Sequence, residues 1–438
     1  MMRFPYVVIG GGVAGTCCAN ELCAAAAKSS KPSADDAAVC ALISPTQSLK
    51  TVKVVKRISE CVDELTVIEH PTASLVASSA SHLEVIQAHV SSLDPIAKRV
   101  HLSDGRAIAY DKVCVCTGAV PKRPPQMGKG RVLTVRDTDS ASRLGAALSG
   151  ARRVVVAGNG AIALEVINKL RGLEVMWIVK HAHVGDALFD VDVARFLLAH
   201  RSQVGDGVTF VEEKSASGGT KGGAFSAQPP TDDAPAAQTA CGHALGPQWT
   251  SHVGSWAGGG DGTRITILYH SEFVGTEDPS PPAAGGGGGE GLAEPAWPIR
   301  AVLSDGTRLG ADVVINCTGV RPNADWLAAC APGLEISKED GGVMVDERME
   351  TSIPGVFAAG DVCTLRVGAF GPHFFQMRLW GQAKVTAQMA AHAMMESPEL
   401  GLMGLGLDLV RQRPSPLPTP HQPSTRAHAH APGYVCVI

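Results

Sequence analysis

The chain has 438 residues, 45% of them hydrophobic and 18% charged, with a formal net charge of −4. Such a length suits two or three domains, the charge offers no basic surface for nucleic acid, and no apolar run reaches the ~18 residues that a membrane span needs. Only Met1 to Pro5 precede the first apolar strand, too little for a signal or transit peptide, so the expectation is a protein that is not exported. Cys436 falls one place too late for a prenylation box. The twelve cysteines include no C-x2-C pair, which argues against zinc and thioredoxin-like chemistry. They are expected to be small buried hydrophobes in a reducing compartment, without disulfides.

In chain order, Tyr6 to Ile9 read as a strand ending at Gly10, and Val13 to about Ala27 as a helix. A polar loop, Lys28 to Asp36, leads to a second buried strand over Val39 to Ile43, completing a β-α-β unit. His82 to Leu93 and Arg99 to Tyr110 read as strand and hairpin, with Asp104-Gly105 at the turn, and Lys112 to Cys116 as another strand. The pattern then restarts: a strand over Arg153 to Ala157, a turn over Gly158 to Gly160, a helix whose apolar face carries Ile162, Val166 and Leu170, and a strand over Val175 to Val179. From about Glu213 to Pro298 periodicity is lost among Gly and Pro runs. This predicts a largely disordered insertion with a few anchored strands, such as Arg264 to Tyr269. Strands are expected again at Val313 to Ile315, Val343 to Val345 and Val356 to Ala359, and a long helix over Phe374 to Met395. The proline-rich stretch after Glu399 reads as a disordered tail, in which His421, His428 and His430 lack a scaffold that could make a metal site.

Two Gly-rich turns carry the chemistry. Gly10-Gly11-Gly12-Val13-Ala14-Gly15 stands between a strand and a helix. Gly10 permits the tight turn, Gly12 lets the backbone approach a pyrophosphate, and Gly15 lets helix and strand pack closely. The helix N-terminus adds unpaired N–H groups and a field that favours phosphate. Gly158-Asn159-Gly160-Ala161-Ile162-Ala163, with Glu165 just beyond, repeats the pattern with Ala in the third place. Two such turns imply two dinucleotides, or a duplicated fold with one inactive site. Ile353 to Asp361 is an apolar strand that delivers Gly360-Asp361 to its carboxyl end, where ligands bind in open α/β sheets. Cys116-Thr117-Gly118-Ala119-Val120-Pro121 and Cys317-Thr318-Gly319-Val320-Arg321-Pro322-Asn323 look like equivalent strand ends in duplicated domains.

This order of motifs resembles the pyridine nucleotide-disulphide oxidoreductase superfamily. The stretches Val135 to Ala141, Gly158 to Glu165, Ala244 to Trp249 and Phe374 to Trp380 add to the resemblance. It implies an α/β, glutathione-reductase-like fold of two Rossmann-like dinucleotide-binding domains, one for FAD and one for NAD(P)H. The expected domains are residues 1–135 and 324–398 for FAD, 136–323 for NAD(P)H with an insertion over about 213–298, and a tail over 399–438 in place of the family's C-terminal interface domain. The resemblance implies an FAD set of Gly10, Gly12, Val13, Ala14, Gly15, Ser44, Lys50, Val90, Thr117, Gly118, Gly360, Asp361 and Trp380. It implies an NAD(P)H set of Gly158, Gly160, Ala161, Ile162, Glu165, Lys180 and Gly319. Lys50 is the candidate catalytic residue, a cation facing the flavin ring; a solvated surface lysine is the competing reading. Trp380 suits a place by the isoalloxazine, or the core. Lys180 and His181 stand where an acid would favour NAD and a base the 2′-phosphate of NADP.

The chain departs from the family in two further ways. Ser44 occupies the strand end where Asp or Glu usually meets the adenine ribose. The cysteine pair beside the flavin is missing, since Ser44 to Arg57 contain no Cys. The expected function is hydride transfer from NAD(P)H to flavin and on to an external acceptor, in redox homeostasis or the oxidative-stress response. The alternative is an NAD(P)H sensor that binds a protein partner and turns over little. The resemblance also implies a nuclear and cytoplasmic protein, with neither nucleic acid nor membrane as a partner.

Overall fold

The computed structural model describes residues 2–29, 38–57, 63–72, 82–124, 131–203, 208–213, 256–260, 262–278, 297–366, 376 and 378–396. These form two compact units, one of residues 2–119 with 322–396, the other of residues 120–321. The first boundary thus lies before the expected 135/136. Val132–Leu133 already pairs with Val313–Asn316 in the second unit's sheet, so the chain changes sheet earlier than the motif order suggests.

The first unit opens with β1 (Met2–Ile9), α1 (Val13–Ser29) and β2 (Cys40–Ser44). A hairpin of β3 (Ser48–Arg57) and β4 (Asp63–Pro71) follows, then β5 (Leu83–Gln87), β6 (Val90–Asp94), β7 (Arg99–Leu102) and β8 (Ala107–Val115). The sheet order is β5-β2-β1-β8-β7-β6, and Val356–Ala358 joins β8 in parallel. Val7, Val8, Cys40, Ala41 and Leu42 are wholly buried, as expected of parallel strands covered on both faces. α1 packs against the helix Trp380–Met394. The small buried residues Ala19, Ala387, Ala390 and Ala391 let the two helices approach closely.

The second unit is a six-stranded parallel sheet. Its order is Val132–Leu133, Val313–Asn316, Arg153–Ala157, Glu174–Ile178, Thr263–Leu268 and Val208–Glu213. Wholly buried residues line both faces: Val154, Val156 and Val175 on one, Val155, Ala157 and Ala301 on the other. A three-stranded antiparallel sheet, Phe273–Glu277, Ile299–Leu303 and Arg308–Ala311, completes the unit.

Several elements differ from the sequence reading. The β3–β4 hairpin was not expected. The helix Ala161–Lys169 stops before Leu170, which turns into a two-residue strand paired with Trp256–Ala257. The final helix starts at Trp380 instead of Phe374, because Leu379 is extended and Gln376 and Arg378 bond to residues 361–365. Inside the expected insertion, Thr263–Leu268 matches the strand expected at Arg264 to Tyr269, whereas Phe273–Glu277 is a further strand that was not expected. The rest of that insertion, residues 214–255, 261 and 279–296, and the tail lie outside the described residues.

Candidate dinucleotide sites

Each unit carries one Gly-rich turn, and the two are built alike. Gly10 has φ +122 and Gly158 φ +134, backbone that side chains rarely adopt. The Gly10 N–H donates to the Ile43 carbonyl at 2.8 Å and the Gly158 N–H to that of Ile178 at 3.1 Å. On the other side, the Cys116 N–H donates to Ile9 at 2.8 Å and the Cys317 N–H to Ala157 at 2.7 Å. A side chain at Gly10 would strike the Cys116 carbonyl, and one at Gly158 the Cys317 carbonyl. The motifs with Thr117-Gly118 and Thr318-Gly319 therefore close the two turns in equivalent ways.

The middle glycines fit a bound pyrophosphate. A Cβ at Gly12 or at Gly160 would meet nothing within 4 Å, so the backbone there borders open space. The next residues, Val13 and Ala161, begin helices whose first turns hold no acid. That leaves the positive end of each helix suited to phosphate. Gly15 serves packing, because a Cβ would run into the Gly10 carbonyl; Ala163 fills the equivalent place and is wholly buried. Ala14 is buried and touches the space a side chain at Gly360 would need. Ile162 and Glu165 are half-buried on the second unit's helix.

The shared bonding pattern aligns Ser44 with Val179, the residues that follow Ile43 and Ile178. Neither is acidic. Ser44 is 2% exposed, lies under Gly11, and its Oγ stands 2.9 Å from Thr46 Oγ1. Val179 is wholly buried. Beyond it Lys180 is exposed and its Nζ meets Glu272 Oε1 at 2.8 Å. His181 pairs with Asp186 at 2.8 Å. Asn159, within the Gly-rich turn, donates to Asp186 at 2.7 Å and to the His183 carbonyl at 2.9 Å, and accepts from the Gly185 N–H at 2.6 Å. This network fixes the segment 181–186 against the turn.

In the first unit, Lys50 is held by its main chain. Its N–H donates to the Gly11 carbonyl at 3.0 Å, and its carbonyl accepts from the buried Thr16 hydroxyl. The ammonium reaches Glu69 on β4 at 3.4 Å, and the two side chains are 23% and 12% exposed. This is not the solvated surface lysine of the competing reading. Thr117 Oγ1 donates to the Asn323 carbonyl at 2.9 Å, and Gly118 has φ +65. In the second unit, the Gly319 carbonyl accepts from the Lys122 N–H at 2.9 Å. Val90 opens β6, half-buried against the core.

Gly360 and Asp361 follow Val356–Ala358 in a short 3-10 turn. The Gly360 N–H donates to Thr386 Oγ1 at 3.0 Å. The Arg378 guanidinium donates to the carbonyls of Asp361 at 3.1 Å and Cys363 at 3.2 Å, to Thr364 Oγ1 at 3.1 Å, and to the Asp340 carboxylate. Burial would raise the Asp340 pKa, but the bonds from Arg378, the Gly342 N–H, Ser337 and Thr364 outweigh it and lower the value to about 2. Trp380 begins the final helix, half-buried against the core. Sequence reasoning missed Thr16, Glu69, Asp186, Glu272, Asp340 and Thr386. Arg378 lies within a stretch that carried the resemblance, yet only the structure gives it a role.

Among the described residues no cluster of three or more His, Cys, Asp or Glu could hold a metal, and no helix is long and apolar enough to cross a membrane.

The mouse protein named pyridine nucleotide-disulfide oxidoreductase domain-containing protein 1 is 32% identical, over 89% of this chain and 76% of its own length. The Drosophila melanogaster protein of the same name is 31% identical, over 90% and 76%. The ferredoxin–NAD(+) reductase component of the Paraburkholderia xenovorans biphenyl dioxygenase system is 27% identical, over 75% and 63%. Among solved structures, the putidaredoxin reductase–putidaredoxin complex matches with a TM-score of 0.53 at 20% identity, over 90% and 75%. Reduced Bacillus anthracis CoADR-RHD matches with 0.56 at 16%, over 91% and 57%. These two likenesses are of fold. The pyridine nucleotide-disulphide oxidoreductase family matches residues 4–231 and 290–396, and the chain belongs to that family.

Proposed function

We propose that the chain is an FAD-dependent NAD(P)H oxidoreductase that passes electrons to an external acceptor. The observation that carries this is the pair of Gly-rich turns, closed by the same hydrogen bonds and bordering open space at Gly12 and Gly160. The unit of Gly10, Gly12, Gly15, Gly360 and Asp361 takes FAD, and that of Gly158, Gly160 and Glu165 takes the nicotinamide nucleotide. When both are bound, the cofactors supply the chemistry of hydride transfer from nicotinamide C4 to flavin N5. The chain binds and tunes them. The N–H groups opening α1 hold the pyrophosphate, Asp361 accepts from ribitol hydroxyls, and Lys50 offers a positive charge that favours an anionic reduced flavin. Lys180 and His181 favour NADPH over NADH, with Glu272 drawing on the same lysine.

The stretch around Lys50, Ser44 to Arg57, contains no cysteine to relay electrons, so on this reading they pass from the flavin directly to the external acceptor. The relative named as a ferredoxin–NAD(+) reductase and the complex with putidaredoxin favour a small carrier protein as acceptor. The test is an anaerobic absorbance titration, first with NADPH and then with NADH. A bleached flavin spectrum supports the reading and ranks the donors. Bound FAD that stays oxidised would mean an inactive second site and a flavin-binding scaffold. Rapid reduction followed by negligible turnover with every acceptor would favour the NAD(P)H sensor.

A further inference from the structure

The two Gly-rich turns share a backbone but differ at the residue between the paired glycines. In the first unit that residue is Gly11, where a side chain would strike Ser44 and Leu49. In the second unit it is Asn159, which is 9% exposed and has its whole amide engaged. Its N–H groups reach Asp186 Oδ1 at 2.7 Å and the His183 carbonyl at 2.9 Å, and its oxygen accepts from the Gly185 N–H at 2.6 Å.

Both ends of this bracket are fixed. The turn is held from below by the buried Trp177 indole, whose N–H donates to the Gly158 carbonyl at 2.8 Å. The segment is fixed at Gly185, where φ is +64 and a Cβ would strike the Phe189 ring. Beyond the bracket stands the half-exposed His181, with Nδ1 2.8 Å from the same Asp186 oxygen. A carboxylate only accepts, so Nδ1 carries the proton and Nε2 is the nitrogen left to meet a ligand. Lys180 is placed differently, by Glu272.

In a dinucleotide fold the pyrophosphate lies at the Gly-rich turn and the ribose 2′ position at the end of the second strand. Asn159 spans these two places. We propose that Asn159 is a positioning residue for nucleotide choice. It holds Asp186, and through it the His181 imidazole, at a fixed reach from the turn, so that a nucleotide seated there presents its 2′-phosphate to His181. This rests on the reading that the second unit takes the nicotinamide nucleotide and that His181 favours NADPH. FAD carries no 2′-phosphate, so the first unit has no such choice to make and keeps glycine at the matching place.

The test titrates the full-length, FAD-loaded protein calorimetrically with NADP+ and NAD+, which differ only by the 2′-phosphate and cannot reduce the flavin. Asn159→Ala should weaken NADP+ binding about fivefold and NAD+ binding less than about twofold, the scale of one lost hydrogen bond to a charged group at a half-exposed site. Asp186→Asn keeps the shape, removes the charge and should act in the same direction. His181→Gln should weaken NADP+ to a similar extent, and Asn159→Ala added to it should change the ratio of the two affinities no further. If His181→Gln weakens NADP+ selectively while Asn159→Ala spares both nucleotides or weakens them equally, the proposal is overturned and the reading beneath it stands. If His181→Gln leaves the ratio unchanged, or the wild type binds neither nucleotide, that reading falls and the proposal with it. Should Asn159→Ala fail to fold, Asp186→Asn decides by the same ratio.

Discussion

The glycines of the first turn do separable jobs, and substitutions should separate them. Gly12 borders open space, so Gly12→Ala should fold with little change in the apoprotein's thermal midpoint yet retain far less FAD, as seen by absorbance of the purified protein. Gly15→Ala places a methyl group against the Gly10 carbonyl and should cost about 1–3 kcal/mol in denaturant unfolding. Equal stability of the two variants would contradict this division. A second residue-scale prediction concerns Glu272. The pair with Lys180 is half-exposed, so Glu272→Gln should cost under about 1 kcal/mol of stability. Freed from its carboxylate, Lys180 should lower the KM for NADPH about two- to threefold and leave that for NADH unchanged. An equal fall for both nucleotides would remove Lys180 from nucleotide choice. The glycines and Lys180 were legible in the sequence because spacing within one motif fixes their place. Glu272 was not, because it reaches Lys180 from a distant strand end.

At the scale of elements, Arg378 joins the Gly360-Asp361 turn and Cys363–Leu365 to Asp340, just before the final helix begins. Arg378→Lys keeps the charge but loses the planar fork that serves several acceptors at once. FAD retention should drop several-fold with the far-UV spectrum unchanged; full retention would show that the turn needs no such tie. The same network sets a pH dependence. The folded Asp340 pKa of about 2 lies below its ordinary 3.8. Its contribution to stability is therefore present above about pH 4 and lost as pH falls through about 2. Acid unfolding of Arg378→Lys should lose part of this drop, measured by the unfolding midpoint between pH 5 and pH 2. The repeated strand–turn–helix patterns were readable from apolar periodicity. The β3–β4 hairpin was not, since Lys50, Lys53 and Lys56 obscure its alternation. The start of the last helix was misplaced because Phe374 to Leu379 are apolar enough to read as one more turn.

For the whole molecule, the duplication was the most legible feature, because each unit needs its own Gly-rich turn and its own strand ending in Thr-Gly. Of the strands that interrupt the expected insertion, Thr263–Leu268 was legible as the run Arg264 to Tyr269, while Phe273–Glu277 was hidden beside long Gly and Pro runs. The lack of cysteine from Ser44 to Arg57 makes a prediction at this scale. Anaerobic reduction should be complete at one NADPH per FAD, since flavin alone stores two electrons. A requirement for two would reveal a further acceptor within the protein.

The order of strands also dictates a schedule of synthesis. Val113 to Val115 of β8 pair with β1 on one side but gain their second neighbour only when Val356–Ala358 emerges, long after the rest of the first sheet. The second sheet likewise waits for Val313–Asn316 to fill the place beside Arg153–Ala157. At roughly 5–20 residues per second, a ribosome needs on the order of 10–40 s to deliver the intervening unit. Throughout that interval the nascent chain carries an open strand edge, which is a template for mispairing. A truncated messenger that stops inside the second unit should therefore yield a product that chaperones retain or proteases remove, even though it includes every residue of the first Gly-rich turn.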